Sequence, residues 1–167
     1  RAAGVAPGAA LTLIGALAAA AGAGGAAGGQ VADLEAEGVA ADRTVVESIH
    51  RRKAGALLAA AAAAGALAGG ADPARRAALA AYGHALGLAF QVADDILDAT
   101  APTALTGKRE GGDAALGKAT FPAVLGLDGA RVVARELLAR CRAATDVLGP
   151  PADPLRAIAT FVVERAC

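Results

Sequence analysis

Methionine and tryptophan are absent from this 167-residue chain, and its aromatic rings amount to one Tyr and three Phe. So few rings leave no stacking platform for single-stranded nucleic acid. Net charge is absent too, because 16 Lys and Arg offset 16 Asp and Glu. A nucleic-acid partner held by bulk charge is therefore excluded. Two cysteines, Cys141 and Cys167, make neither a disulfide framework nor a zinc pattern, and fit a reducing compartment such as the cytoplasm. No segment alternates apolar and polar residues at a strand's period, so the expected class is all-α. Without methionine, residue 1 is not a translated start, and the chain is expected to be a fragment or a processed form.

Long hydrophobic runs are also scarce. The longest unbroken run, 54–71, has 18 apolar or small residues, but only Leu57, Leu58 and Leu67 are strong hydrophobes. Alanine and glycine contribute little to insertion, so it reads as a buried Ala-rich helix and not a membrane span. Residues 1–29 have a leading Arg and an apolar centre. Pro7 and Thr12 interrupt that centre, and an acidic helix follows directly, which argues against a signal peptide.

What the chain does have is helix punctuation. Pro7 opens a helix whose apolar residues Leu11, Ile14 and Leu17 recur at helical spacing, and Gly22, Gly24 and Gly25 close it. Gly28-Gly29-Gln30 marks a close approach or bend before a helix from Val31 to Glu37, which Gly38 ends. Asp42 caps a helix running from Arg43 to about Gly69, and Asp72-Pro73 starts another that ends near Thr100. Residues 101–116 read as loop. A short helix follows Pro122. Arg131–Leu148 is amphipathic, with Val132, Leu137 and Leu138 facing inward. The last helix starts at Asp153-Pro154 and carries Leu155, Ile158, Phe161 and Val162.

The densest chemistry lies in Phe90-Gln91-Val92-Ala93-Asp94-Asp95-Ile96-Leu97-Asp98. Residues three and four apart share a helix face, so Gln91, Asp94, Asp95 and Asp98 are expected to form one polar stripe. Phe90, Ala93 and Leu97 flank it. Carboxylates this close repel one another, and a hard cation relieves that. Mg²⁺ takes oxygen ligands and is held by one or two carboxylates plus substrate phosphates. The other reading is a solvated acidic face, although the apolar residues on both sides suit a cavity wall better.

Lysines recur where a diphosphate needs them. Lys53 sits in Ile49-His50-Arg51-Arg52-Lys53-Ala54-Gly55. Lys108 follows Gly107, and Lys118 follows Gly117. An ammonium is a compact charge for phosphate. A P-loop is excluded because Ala119, not Ser or Thr, follows Lys118.

Four markers now stand in order: Gly28-Gly29-Gln30 with Asp33-Leu34 and Glu37-Gly38; His50-x-x-Lys53-x-Gly55; Phe90-Gln91-x-x-Asp94-Asp95-x-x-Asp98; and Gly107-Lys108 with Gly117-Lys118-x-Thr120-Phe121-Pro122. Together they resemble the trans-isoprenyl diphosphate synthases (polyprenyl synthetases), nearest the bacterial farnesyl and geranylgeranyl diphosphate synthases. The resemblance implies a helical bundle of the isoprenoid synthase type, of which 1–167 is the C-terminal part of a single domain. It implies a Mg²⁺-dependent prenyltransferase that joins an allylic diphosphate to isopentenyl diphosphate, and a homodimer. Asp94, Asp95 and Asp98 become the metal ligands. Lys53, Lys108 and Lys118 contact diphosphate. Lys53, Gln91 and Lys118 act in catalysis, with the Gln91 amide oxygen turned toward an allylic cation.

The chain departs from the family pattern at Ala54, where a Thr hydroxyl is usual. The family's first aspartate-rich motif and its basic isopentenyl-diphosphate site are expected upstream of residue 1, so the chain alone is expected to be inactive. Two further readings stand: a non-catalytic helical interaction module, and a class I terpene cyclase fragment. The paired Gly-Lys and the Lys53 marker favour chain elongation over cyclisation. His50 and His84 read as packing or surface residues, Tyr82 as core, and Arg51 and Arg52 as a solvated face.

Overall fold

A computed structural model of the chain describes residues 6–100 and 117–166. Lys108 and the loop expected over 101–116 lie outside the described residues. Seven α-helices are described: α1 (Pro7–Ala21), α2 (Ala26–Glu35), α3 (Arg43–His50), α4 (Ala56–Ala68), α5 (Pro73–Thr100), α6 (Phe121–Thr145) and α7 (Asp153–Glu164). A π-helical turn, Arg51–Gly55, joins α3 to α4, and two 3-10 turns, Asp146–Leu148 and Pro150–Ala152, join α6 to α7. Among the described residues there is no strand.

The punctuation acts where its chemistry puts it. The Asp42 carboxylate accepts from the Val45 N–H at 2.9 Å and so caps α3. Asp72 does the same for Arg75 at the start of α5, and that N–H, more than the nearby guanidinium, holds the Asp72 carboxyl below its ordinary pKa. The Thr120 hydroxyl caps α6 through the Ala123 N–H. Pro7 occupies the first turn of α1.

Helix α5 is the axis. It packs against α4, the π turn, α6 and α7. Val46 and Ile49 of α3, Leu86, Val92 and Ile96 of α5, and Phe121 and Leu137 of α6 meet in its core. Its contact with α4 is unusually close. A Cβ on Gly83 would stand 2.6 Å from Ala59 Cα, and one on Gly87 would stand 2.5 Å from Gly55 Cα. Residues four apart on each helix are therefore small, and the two backbones touch.

Several local expectations change. Helix α2 begins at Ala26, not Val31, so Gly28 and Gly29 lie inside a helix. Gly29 is nonetheless a close approach, since a Cβ there would collide with the Lys53 backbone. Helix α6 runs from Phe121 to Thr145 as two helical stretches joined at a kink at Gly126, whose φ of 72° suits glycine, so the second stretch starts before Arg131. The residue facing inward is Val133; Val132 is 45% exposed. In α7 the buried valines are Val162 and Val163, while Phe161 is exposed.

Residues 7–35 have the length and apolarity of a membrane span, but a turn at Gly22–Gly25 splits them into α1 and α2. Leu11, Ile14 and Leu17 stay exposed along one side of α1.

Candidate active site

The four sequence markers, scattered over ninety residues, meet through a chain of named contacts. The first joins α2 to the π turn. Gly29 lets α2 lie against the backbone at Lys53, and one turn later the buried Asp33 carboxylate receives the Lys53 ammonium at 2.6 Å. A helix is tight enough that only glycine permits such an approach. The Lys53 side chain keeps 30% of its exposure, so its charge is anchored without being sealed from a ligand.

The π turn is itself a local rearrangement of the hydrogen-bond ladder, of the kind that clusters at functional sites. It carries Lys53, Ala54 and Gly55 together. Gly55 is where α5 crosses, at Gly87. From Gly87, helical periodicity places Gln91, Asp94 and Asp98 on one line running away from the crossing. Asp94 is exposed, and Gln91 and Asp98 are half-buried.

Asp95 is not on that line. It is 8% exposed and turned into the core, where its carboxylate accepts the Phe121 N–H at 2.9 Å. His50 Nε2 lies 3.7 Å from the same oxygen, and the His50 ring packs on Phe121 with centroids 5.5 Å apart. The expected four-membered polar stripe is thus a stripe of three plus one inward carboxylate. Phe121 is the first residue of α6, so its N–H has no partner within the helix, and Asp95 satisfies it. This bond also fixes the segment just before α6, which carries half-buried Lys118.

The same segment is held from its other side. Gly117, at φ 64°, accepts the Gly38 N–H at 2.9 Å. The first and fourth markers therefore touch through their glycines. At the end of the chain, Arg165 lays its guanidinium 4.7 Å from the centre of the Phe90 ring.

Sequence reasoning missed two of these roles. In sequence Asp33 belongs only to a marker; in the fold it anchors Lys53. The aspartate spacing suggests that Asp95 joins the stripe, yet it shares its helix phase with buried Leu88 seven residues earlier, a signal legible in the sequence. His50, read as packing, does pack, against the Asp95–Phe121 junction.

Among the described residues, no three His, Cys, Asp or Glu side chains converge into a complete metal cage. Asp94, exposed, and Asp98, half-buried, nevertheless give two carboxylates on one helix line, one turn apart. That donor set fits Mg²⁺, which keeps water and phosphate oxygens in its other positions.

This all-helical architecture is that of the isoprenoid synthases over part of their length. The geranylgeranyl pyrophosphate synthetase of Pyrococcus horikoshii superposes with a TM-score of 0.86 at 23% identity, over 97% of this chain and 61% of that one. The geranyltransferase of Helicobacter pylori, solved with magnesium and isoprenyl diphosphate, gives 0.80 at 28% identity, over 96% of this chain and 52% of its own. The polyprenyl synthetase family model matches residues 14–147. Farnesyl diphosphate synthase of Escherichia coli K12 is 45% identical over 160 residues, 93% of this chain and 53% of the relative. The chain belongs to the polyprenyl synthetase family, and it spans about half the length of the curated relatives it matches.

Proposed function

We propose that residues 1–167 form the C-terminal part of a single trans-prenyltransferase domain of the farnesyl or geranylgeranyl diphosphate synthase type. The substrates are an allylic diphosphate and isopentenyl diphosphate. The observation that carries this reading is the convergence of the four markers, which lines Lys53, Gln91, Asp94, Asp98 and Lys118 along neighbouring elements. The magnesium and isoprenyl diphosphate of the Helicobacter pylori structure support the same ligand class.

In this reading Lys53 and Lys118 bind the diphosphate and stabilise the negative charge that grows on it as the allylic carbon–oxygen bond breaks. Lys108 is assigned the same task. Charge stabilisation of this kind is strongest when the donors are fixed beforehand, and Asp33 and Asp95 do the fixing: one holds Lys53, the other holds the segment of Lys118. Asp94 and Asp98 would hold Mg²⁺, which supplies, when bound, further neutralisation of the diphosphate. Asp95 is assigned to position, not to coordinate. The Gln91 amide oxygen offers a dipole to the electron-poor carbon. Ala54 offers none, where the family pattern has a hydroxyl. Pairing with a second copy and a cytoplasmic location complete the proposal, the latter supported by similarity to a bacterial synthase.

The test is calorimetric titration of the chain with a non-hydrolysable allylic diphosphate analogue, with and without Mg²⁺, in wild type and Asp94→Ala. Mg²⁺-dependent heat that disappears in the variant is the expected result. No binding by either protein would reject a ligand-competent half-site in this chain.

A further inference from the structure

Helix α2 ends in a turn whose hydrogen bonds run two ways. Three of the four successive N–H groups from Ala36 to Val39 fold back: Ala36 donates to the Ala32 carbonyl, Glu37 to Leu34 and Val39 to Ala36, at 3.1–3.2 Å. The fourth, on Gly38, leaves the element and reaches the Gly117 carbonyl at 2.9 Å. Gly38 has φ 72° and Gly117 has φ 64°, the left-handed region that a Cβ disfavours. A Cβ on Gly117 would stand 3.2 Å from the Gly38 nitrogen and 3.3 Å from its Cα, whereas one on Gly38 would meet nothing within 4 Å.

Gly117 immediately precedes Lys118. Three residues beyond that lysine, the Phe121 N–H donates to Asp95 of α5 at 2.9 Å. Lys118 therefore lies on a short strap fixed at both ends, at Gly117 by the turn of α2 and at Phe121 by α5. Five residues before Gly38, on the same helix, the Asp33 carboxylate holds the Lys53 ammonium at 2.6 Å. Helix α2 thus grips both lysine-bearing segments, one through a side chain and the other through its main chain. A hydrogen-bonded helix and turn keep those two grips at a fixed separation. Two cations held at a set spacing stabilise growing negative charge better than two that must first be brought together.

We propose that Gly38 and Gly117 form a clasp that positions Lys118, and that α2 is the common brace setting the spacing of Lys53 and Lys118. The task given to Lys118 rests on the diphosphate reading above; the clasp itself does not. Gly38→Ala strains the clasp through φ alone, and Gly117→Ala adds the close contact. Gly70 is the control: its φ is 69° and nothing would stand within 4 Å of its Cβ, but it lies between α4 and α5. The first measurement is amide hydrogen exchange by NMR without ligand. In Gly38→Ala and Gly117→Ala the Phe121 and Ala123 amides should exchange about tenfold faster relative to amides within α5. In Gly70→Ala the ratio should stay at its wild-type value. An unchanged ratio in Gly38→Ala, or the same rise in Gly70→Ala, would overturn the clasp. The second measurement is calorimetric titration with Mg²⁺ and inorganic pyrophosphate. Gly38→Ala should weaken binding about threefold or more in the wild-type background and have no effect in Lys118→Ala. Equal weakening in both backgrounds would overturn the positioning role. A wild type that binds no pyrophosphate rejects the diphosphate reading instead, and the exchange ratio still decides the clasp.

Discussion

Replacing Gly87 by alanine tests how the candidate site is built. The new Cβ would stand 2.5 Å from Gly55 Cα and 2.8 Å from Gly55 N, well inside ordinary van der Waals contact. Both neighbours are backbone, so relief requires α5 and the π turn to move apart. Overpacking of this kind costs about 1–3 kcal/mol. Alanine's better helix propensity returns about 0.8–1 kcal/mol, so the net loss reaches about 2 kcal/mol. For a chain of this size 1 kcal/mol shifts Tm by about 2–4 °C. Gly65 is the control: it lies in α4, its φ is not positive, and nothing would stand within 4 Å of an added Cβ. Gly65→Ala should therefore gain about 0.8–1 kcal/mol and raise Tm by about 2–4 °C. Differential scanning calorimetry of both variants gives opposite signs if close backbone contact is the cause. A Gly87→Ala protein as stable as Gly65→Ala would refute it. Separating the helices also displaces Lys53 from the Asp94 line, so diphosphate affinity should fall in Gly87→Ala and stay unchanged in Gly65→Ala.

Other perturbations address separate contacts. Asp33→Ala leaves a half-buried ammonium without its 2.6 Å partner; partial hydration softens the penalty, and a loss of about 1–3 kcal/mol is expected by urea unfolding. Asp95→Ala strips the Phe121 N–H of its acceptor and should cost about 1–3 kcal/mol, together with weaker diphosphate binding through Lys118. Burial, and for Tyr82 also the neighbouring Cys141, raises two core acids: the Cys141 thiol to about 11 and the Tyr82 phenol to about 12. Unfolded, they ionise near 9 and 10, so above about pH 9 the unfolded chain binds fewer protons and stability falls as pH rises. Thermal melts from pH 8 to 11 should show this decline, with a shallower slope in Cys141→Ala. Finally, Leu11, Ile14 and Leu17 expose an apolar row on α1, and such surfaces associate. Sedimentation should find oligomers or aggregates, reduced when all three become Gln; a monodisperse wild-type monomer would contradict this.

Much of this protein was legible in one dimension. Helix boundaries followed from caps and breakers acting over three or four residues, as at Asp42, Asp72 and Pro7, because those interactions are local. The order of the markers was equally readable and carried the family. Which side chains meet was not. Asp33 and Lys53 are twenty residues apart, and nothing local to either announces a 2.6 Å ion pair. Asp95 differs from Asp94 in the string only in helix phase, which it shares with Leu88. What it holds there is set by α6, which begins beside it with an unsatisfied N–H, and a buried donor must find an acceptor. The glycines at 29, 83 and 87 could be read as turns, bends or weak helix positions. Tertiary packing decides that they are the surfaces through which helices touch. Sequence by itself determined the helices and the chemistry they carry; only the fold divided three neighbouring aspartates into two that share a helix line with Gln91 and one turned into the core against Phe121, because burial depends on what packs alongside.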